Sequence, residues 1–190
     1  MTRRRFIFDP PERFVAGTVG EPGARTFFLQ ARDGGRVVSV VLEKVQVAVL
    51  ADRLNQLLDE LERRGITQAE PLRSSDSEPL DEPVIEAFRA GSLTLGWDGS
   101  DDRVLVEARA QSEDDDDEMP EGQVAAIEAD DDAEDGPDLF RVRMTAPAAR
   151  AFVERAVRVV SAGRPPCPLC GQPLDPGGHI CPRRNGHYVN

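Results

Sequence analysis

Four short runs rich in Phe, Val and Thr, at residues 4–8, 14–19, 26–31 and 37–42, open the chain, separated by Pro10-Pro11, Glu21-Pro22-Gly23 and Asp33-Gly34-Gly35. Strand-forming residues punctuated by turn formers predict antiparallel strands joined by hairpins, with Asp33-Gly34-Gly35 the strongest turn signal. At Lys44 the period changes. Val45, Val49, Leu50, Leu54, Leu57, Leu58 and Leu61 fall on one helical stripe, and Arg63-Arg64-Gly65 supplies a C-terminal stop. The stripe predicts a helix of about five turns.

Periodicity is lost at 66–82, where Pro, Ser and charge gather, and this stretch reads as a linker with little fixed structure. Strands resume at 87–96 and 103–111, around the loop Trp97-Asp98-Gly99-Ser100-Asp101-Asp102, and again at 139–144. Thr145 then caps a second helix with Pro147 in its first turn. Ala148, Ala151, Phe152, Ala156, Val159 and Val160 are placed inward, and Gly163 marks the end.

Set side by side, the two segments match. Phe14-Val15-Ala16-Gly17-Thr18 aligns with Phe88-Arg89-Ala90-Gly91-Ser92, and Phe27-Phe28-Leu29-Gln30-Ala31-Arg32 with Val104-Leu105-Val106-Glu107-Ala108-Arg109. Each half closes with a third strand that runs into an amphipathic helix. The fold class expected is α+β: two β-β-β-α halves at 1–65 and 83–163, forming a pseudo-twofold repeat in an antiparallel sheet, with a linker at 66–82 and a zinc ribbon at 164–190. A single unit of this kind buries too little apolar area to stand alone, so the halves must share a sheet or pack face to face.

Charge changes this picture in one place. The net charge is −12, yet residues 113–135 hold thirteen carboxylates and no Lys or Arg, and the rest of the chain is close to neutral. The acidity belongs to an insertion at 112–137, expected to be disordered, and not to a fold that repels phosphate. The aspartates at 114–117 and 130–132 lack the glycine-punctuated alternation of a calcium loop. Lys44 is the only lysine. No apolar run reaches the roughly 20 residues of a membrane span, and Asp9-Pro10-Pro11 interrupts the first apolar run too early for a signal peptide. A cytoplasmic protein without a membrane partner is expected.

Chemistry concentrates near the C-terminus. Cys167-Pro168-Leu169-Cys170-Gly171 has the form of a zinc knuckle, two thiolates on a tight turn whose amides point at sulfur. All three cysteines lie within 167–181, an odd and clustered set that suits reduced metal ligands better than disulfides. Cys181 is the third ligand. The fourth is His179, two residues before it, or alternatively His187 at Cys-x5-His spacing. Closed coordination of this kind admits no water, so the Zn2+ is expected to be structural, and a short ribbon without an apolar core needs the metal to fold.

Both histidines lie in this tail, which leaves no free base for a Ser-His-Asp or Cys-His arrangement, and no Gly-x4-Gly-Lys loop is present. Carboxylate catalysis in a cleft between the halves would draw on Asp9, Glu43 and Asp98 with Arg32 or Arg109. Arg164, Arg183 and Arg184 give the ribbon a basic face, but without the interleaved aromatics that stack on bases.

The opening Arg5-Phe6-Ile7-Phe8-Asp9-Pro10-Pro11-Glu12-Arg13-Phe14-Val15-Ala16-Gly17, the segment Arg25-Thr26-Phe27-Phe28-Leu29-Gln30-Ala31 and the ending from Gly163-Arg164-Pro165-Pro166-Cys167 to Cys181-Pro182-Arg183 resemble an actinobacterial family, domain of unknown function 3090. The resemblance covers nearly the whole chain. It implies no assigned activity and carries over no catalytic residue; its context implies an accessory role in a phosphate-linked pathway. The function expected is a non-enzymatic zinc-binding adaptor with a protein partner. One alternative is an enzyme acting on a phosphorylated or nucleotide substrate between the halves, with Arg32 and Arg109 as contacts. Another is nucleic-acid binding through the ribbon, with Arg183 and Arg184 as contacts and steep salt dependence as its sign. The sequence leaves the oligomeric state open.

Overall fold

The computed structural model describes residues 3–67, 76–111, 136–163 and 168–169, and the backbone alone at 124–126. Strand-forming residues build β1 (Arg5–Phe8), β2 (Arg13–Val19), β3 (Thr26–Asp33) and β4 (Arg36–Leu42). Gly34 and Gly35, at φ 55° and 82°, make the two-residue turn between β3 and β4. That turn sets Asp33 opposite Arg36 and therefore Gln30 opposite Ser39. Next come α1 (Lys44–Arg63), β5 (Glu86–Asp98), β6 (Arg103–Ala110), β7 (Val124–Ala126), β8 (Leu139–Met144) and α2 (Ala146–Ser161).

The protein is α+β, with one mixed sheet in the order β1-β8-β6-β5-β4-β3-β2 and β7 paired to β5. Pairs β2/β3, β3/β4, β5/β6 and β6/β8 are antiparallel. Pairs β1/β8, β4/β5 and β5/β7 are parallel, which corrects the wholly antiparallel sheet predicted from the hairpins. The reason at β4/β5 is topological: the chain leaves β4 into α1, and a crossover of that length returns the next strand in the same direction. The register of β5 shifts between Ala90 and Ser92, and Leu93–Leu95 pair with β6 on one side and β7 on the other.

Both helices cover one face of the sheet. Val47, Leu50, Ala51, Leu54 and Leu58 of α1, with Ala149, Phe152, Val153 and Ala156 of α2, pack on Leu29, Val40, Val106 and Val142. Each fully buried Val, Leu or Phe among them contributes roughly 1.5–3 kcal/mol. Both helices are rotated from their predicted stripes: Val45 is exposed while Val47 is buried, and Ala148 is exposed while Ala149 is buried. Polar contacts also join the two helices. Arg150 of α2 donates to Asn55 Oδ1 and Asp59 Oδ1, both at 2.6 Å, and to Glu62 Oε1 at 2.9 Å on α1. The sheet curls enough to bring Phe14 of β2 within 6.2 Å of the Phe140 ring on β8, near the opposite end of the strand order.

Val15, Phe28 and Val41 form a smaller apolar cluster on the other face, closed by Leu80. Leu80 belongs to the stretch predicted to be a loose linker, and residues 76–82 depart from that prediction by packing on the sheet; residues 68–75 lie outside the described residues. The acidic insertion departs from the predicted disorder at one strand, and the residue that follows the insertion is also held. Val124–Ala126 pair with Leu93–Leu95, and Asp138 accepts the Arg4 backbone N–H at 2.8 Å. Residues 112–123 and 127–135, and all of the tail beyond Gly163 except Pro168 and Leu169, lie outside the described residues. Among the described residues no helix is long and apolar enough to cross a membrane.

Candidate functional site

β2 ends the strand order, so the outer side of its backbone needs partners from elsewhere. Arg155 provides one. It sits one turn beyond Phe152 on the inward side of α2, is 6% exposed, and its Nε donates to the Ala16 carbonyl at 2.7 Å. Its Nη1 donates to the Asp76 carbonyl at 3.0 Å and to Asp76 Oδ1 at 2.5 Å, and its Nη2 donates to the Glu78 carbonyl at 2.7 Å. Arg13 also holds the segment: Nε and Nη2 grip the two Asp76 oxygens at 2.6 and 3.0 Å, and Nη1 reaches Asp81 Oδ2 at 2.8 Å. Arg32, opposite Arg13 in the β2/β3 register, donates to Asp81 Oδ1 at 2.6 Å. The Gln30 carboxamide meets the same residue through its backbone, accepting the Asp81 N–H at 2.7 Å and donating to its carbonyl at 3.0 Å.

Electrostatics follow from this geometry. The hydrogen bond from Arg13 holds Asp76 below its ordinary pKa against the opposing effect of burial, helped by the charges of Arg155 and Arg13. Arg13 is raised in turn, chiefly through Asp76, whereas burial lowers Arg155 despite the attraction of Asp76. A carboxylate fixed in this way is a weak proton acceptor near neutral pH. A cavity of about 480 Å³ lies beside Glu12, Arg13, Arg32 and Asp81, but its guanidinium groups are engaged by the chain's own residues 76–81. The arrangement works as a clamp.

A second buried polar pair lies on β6 and β8. Glu107 is 1% exposed and accepts a hydrogen bond from Arg141 Nε, with Arg109 Nη2 3.6 Å from the other carboxylate oxygen. Gln30 and Ser39 form the corresponding cross-strand pair on β3 and β4, joined at 3.0 Å. Among the proposed acidic groups, Asp9 and Asp98 do meet, at 2.7 and 2.6 Å from Arg143, which Asp101 also approaches at 2.9 Å. Glu43 pairs separately with Arg89 at 2.6 Å.

A cavity of about 510 Å³ opens where α2 ends, between Pro22, Arg25, Phe27, Lys44, Val159 and Val160. Arg25 Nη1 donates to the Ala162 carbonyl and so fixes the point from which the chain runs on to Cys167.

Placement of the predicted residues is therefore uneven. Arg32 and Arg109 stand on β3 and β6, three places apart in the strand order, and the cavity beside Arg32 does not include Arg109. Cys167, Cys170, His179, Cys181, His187, Arg183 and Arg184 lie outside the described residues. Sequence reasoning missed Arg13, Asp76, Asp81, Arg143 and Arg155. Only Arg155 leaves a legible signal, an arginine three positions after Phe152 on an otherwise apolar stripe.

A family model described as protein of unknown function (DUF3090) matches residues 6–181. No curated protein and no solved structure matches the chain.

Proposed function

The chain belongs to the family described as protein of unknown function (DUF3090), and on that premise we propose that it is a cytoplasmic, non-enzymatic, zinc-binding adaptor. In this reading Cys167, Cys170, Cys181 and His179, with His187 as the alternative fourth ligand, hold one structural zinc, and the ribbon so formed meets a protein partner. The donor set fits the metal: three thiolates and an imidazole complete a tetrahedral shell and leave no site for water. The observation that carries the reading is where the charged groups of the described residues are spent. Asp76 and Asp81 are locked on Arg13, Arg32 and Arg155, and Asp9 and Asp98 on Arg143, while α2 ends at a point fixed by Arg25, five residues before Cys167.

The proposal extends to the architecture. We read β2-β3-β4-α1 and β5-β6-β8-α2 as a duplicated unit whose halves occupy 1–65 and 83–163. Its support is register. With Phe27 set on Val104, Gln30 falls on Glu107, Ser39 on Arg141 and Leu42 on Met144, and the N-caps Glu43 and Thr145 coincide. In the same register Gly17 falls on Gly96 and Phe8 on Phe88. The Phe-x-Ala-Gly match visible in the sequence is thus displaced by five positions, because it pairs Gly17 with Gly91.

Affinity capture from native cell extract tests the adaptor, comparing the intact protein with a Cys167→Ser/Cys170→Ser variant at low and high salt. One protein recovered in stoichiometric amount by the intact chain and lost with the variant is expected. Recovery of nothing, or of nucleic acid released by salt, overturns the reading.

A further inference from the structure

We propose that the groove between the β2–β3 turn, the start of α1 and the end of α2 binds a phosphate monoester with an apolar or aromatic body of about mononucleotide size. Two cavities meet there, of about 510 and 180 Å³, and share Arg25, Phe27 and Lys44. The larger falls within the range of small-molecule sites, roughly 300–1,000 Å³. Its wall is apolar, formed by Phe27, Val159 and Val160, whereas Arg25, Lys44 and Arg89 bring three cations to the combined rim.

Charge sets the ligand class. Among the described residues Glu43 is the one carboxylate lining either cavity, and it is engaged by Arg89. Arg25 spends one nitrogen on the Ala162 carbonyl. The Lys44 ammonium makes no hydrogen bond or ion pair among the described residues. Three cations against one anion leave an excess of two, which suits a phosphate monoester near neutral pH, whose charge is about −1.5 to −2. The clamp at Arg13 and Arg32 offers the contrast: there the chain's own Asp76 and Asp81 take the guanidinium groups, and here no second carboxylate arrives among the described residues.

Exposure determines the rest of the ligand. Lys44 is solvent-exposed, and an exposed ammonium alone gives a phosphate little affinity. Binding therefore depends on a body that covers Phe27, Val159 and Val160, and the head and the body must act together.

The test is a two-dimensional NMR titration of the full-length, metal-replete protein with phenyl phosphate, with inorganic phosphate and phenol as separate probes. Saturable shifts centred on Phe27, Lys44 and Val159 are expected for phenyl phosphate, with each half-probe at least about fivefold weaker. Lys44→Gln weakens binding about fivefold, as expected for one exposed charge pair; Lys44→Arg restores it, and Arg53→Gln on the outer surface of α1 changes nothing. Absence of saturable shifts, equal affinity for inorganic phosphate, or indifference to Lys44→Gln overturns the site. The assay involves no protein partner, so its failure leaves the adaptor reading standing, and failure of the capture experiment leaves this site standing.

Discussion

Arg155 Nη1 lies 2.5 Å from the Asp76 carboxylate while the same guanidinium holds the Ala16 carbonyl, so one side chain ties α2, the last strand and residues 76–78 together. Removing it leaves the Ala16 carbonyl without this donor, while Asp76 keeps its two hydrogen bonds from Arg13. Arg155→Met is expected to cost about 1–3 kcal/mol, the range for leaving a buried hydrogen-bonding group unsatisfied. Asp76→Asn, at a more exposed position, costs less. Urea denaturation of both single variants and the double variant checks the pair, and a coupling energy of at least about 0.5 kcal/mol is the expected result. Strict additivity would show that the contact carries no stability of its own.

Gly17 and Leu80 meet even more closely. A Cβ on residue 17 would lie 2.5 Å from Leu80 Cδ2, so the strand can approach residues 76–82 only because it has no side chain there. Gly17→Ala is expected to destabilise by about 1–3 kcal/mol through overpacking, and Leu80→Ala by about 2–4 kcal/mol through the void it leaves. The double variant relieves the clash, and its cost falls below the sum of the two. Thermal denaturation of the three proteins decides; a double variant at or beyond the sum removes the argument.

What the sequence discloses depends on how far apart the interacting residues lie in the chain. Every strand and helix that rests on local alternation, a turn or a cap is legible: the Asp33-Gly34-Gly35 turn, the Arg63 terminus of α1 and the Thr145 cap all stand where the pattern puts them. The pinned segment is illegible because nothing local orders it. Asp76, Glu78 and Asp81 look like a polar linker until Arg13, some 63 residues earlier, and Arg155, some 79 residues later, are brought to them by the sheet and α2. The parallel joint β4/β5 is hidden for the same reason, since two short strands do not announce which partner lies across a helix. Of the site residues, Arg32 could be named but not its partner Asp81.

Acid should loosen the clamp. The hydrogen bond from Arg13 holds folded Asp76 below its ordinary value of 3.8, so its contribution is complete above that value and is lost as pH falls through the lower, folded one. Asp138 behaves the same way: its partial burial opposes the shift, but the hydrogen bonds from Arg4 prevail. Unfolding free energy measured from about pH 6 downward is expected to decline below about pH 4. Asp76→Asn flattens that decline, because its side chain no longer titrates. An unchanged slope in the variant assigns acid sensitivity to other carboxylates.

Zinc provides the sharpest test of the C-terminal reading, because the sheet and the ribbon depend on it differently. The α+β core is closed by its own contacts, Leu50, Leu54 and Phe152 against Leu29, Val106 and Val142, and among the described residues no group of three or more His, Cys, Asp or Glu side chains could hold a metal. In the proposed reading the ribbon gains its order from the metal, so binding and folding would be one event there. Purified protein is expected to carry one zinc per chain, and any one of Cys167→Ser, Cys170→Ser or Cys181→Ser to release it. His179→Ala weakens zinc about 10- to 100-fold or more, since losing a ligand costs at least as much as losing an outer-shell partner, while His187→Ala leaves affinity intact; the reverse pattern transfers the fourth position to His187. Chelation removes the ribbon's contribution but leaves the main calorimetric transition in place. A main transition that falls with chelation would mean that the ribbon braces the sheet, and metal-free native protein would end the zinc assignment.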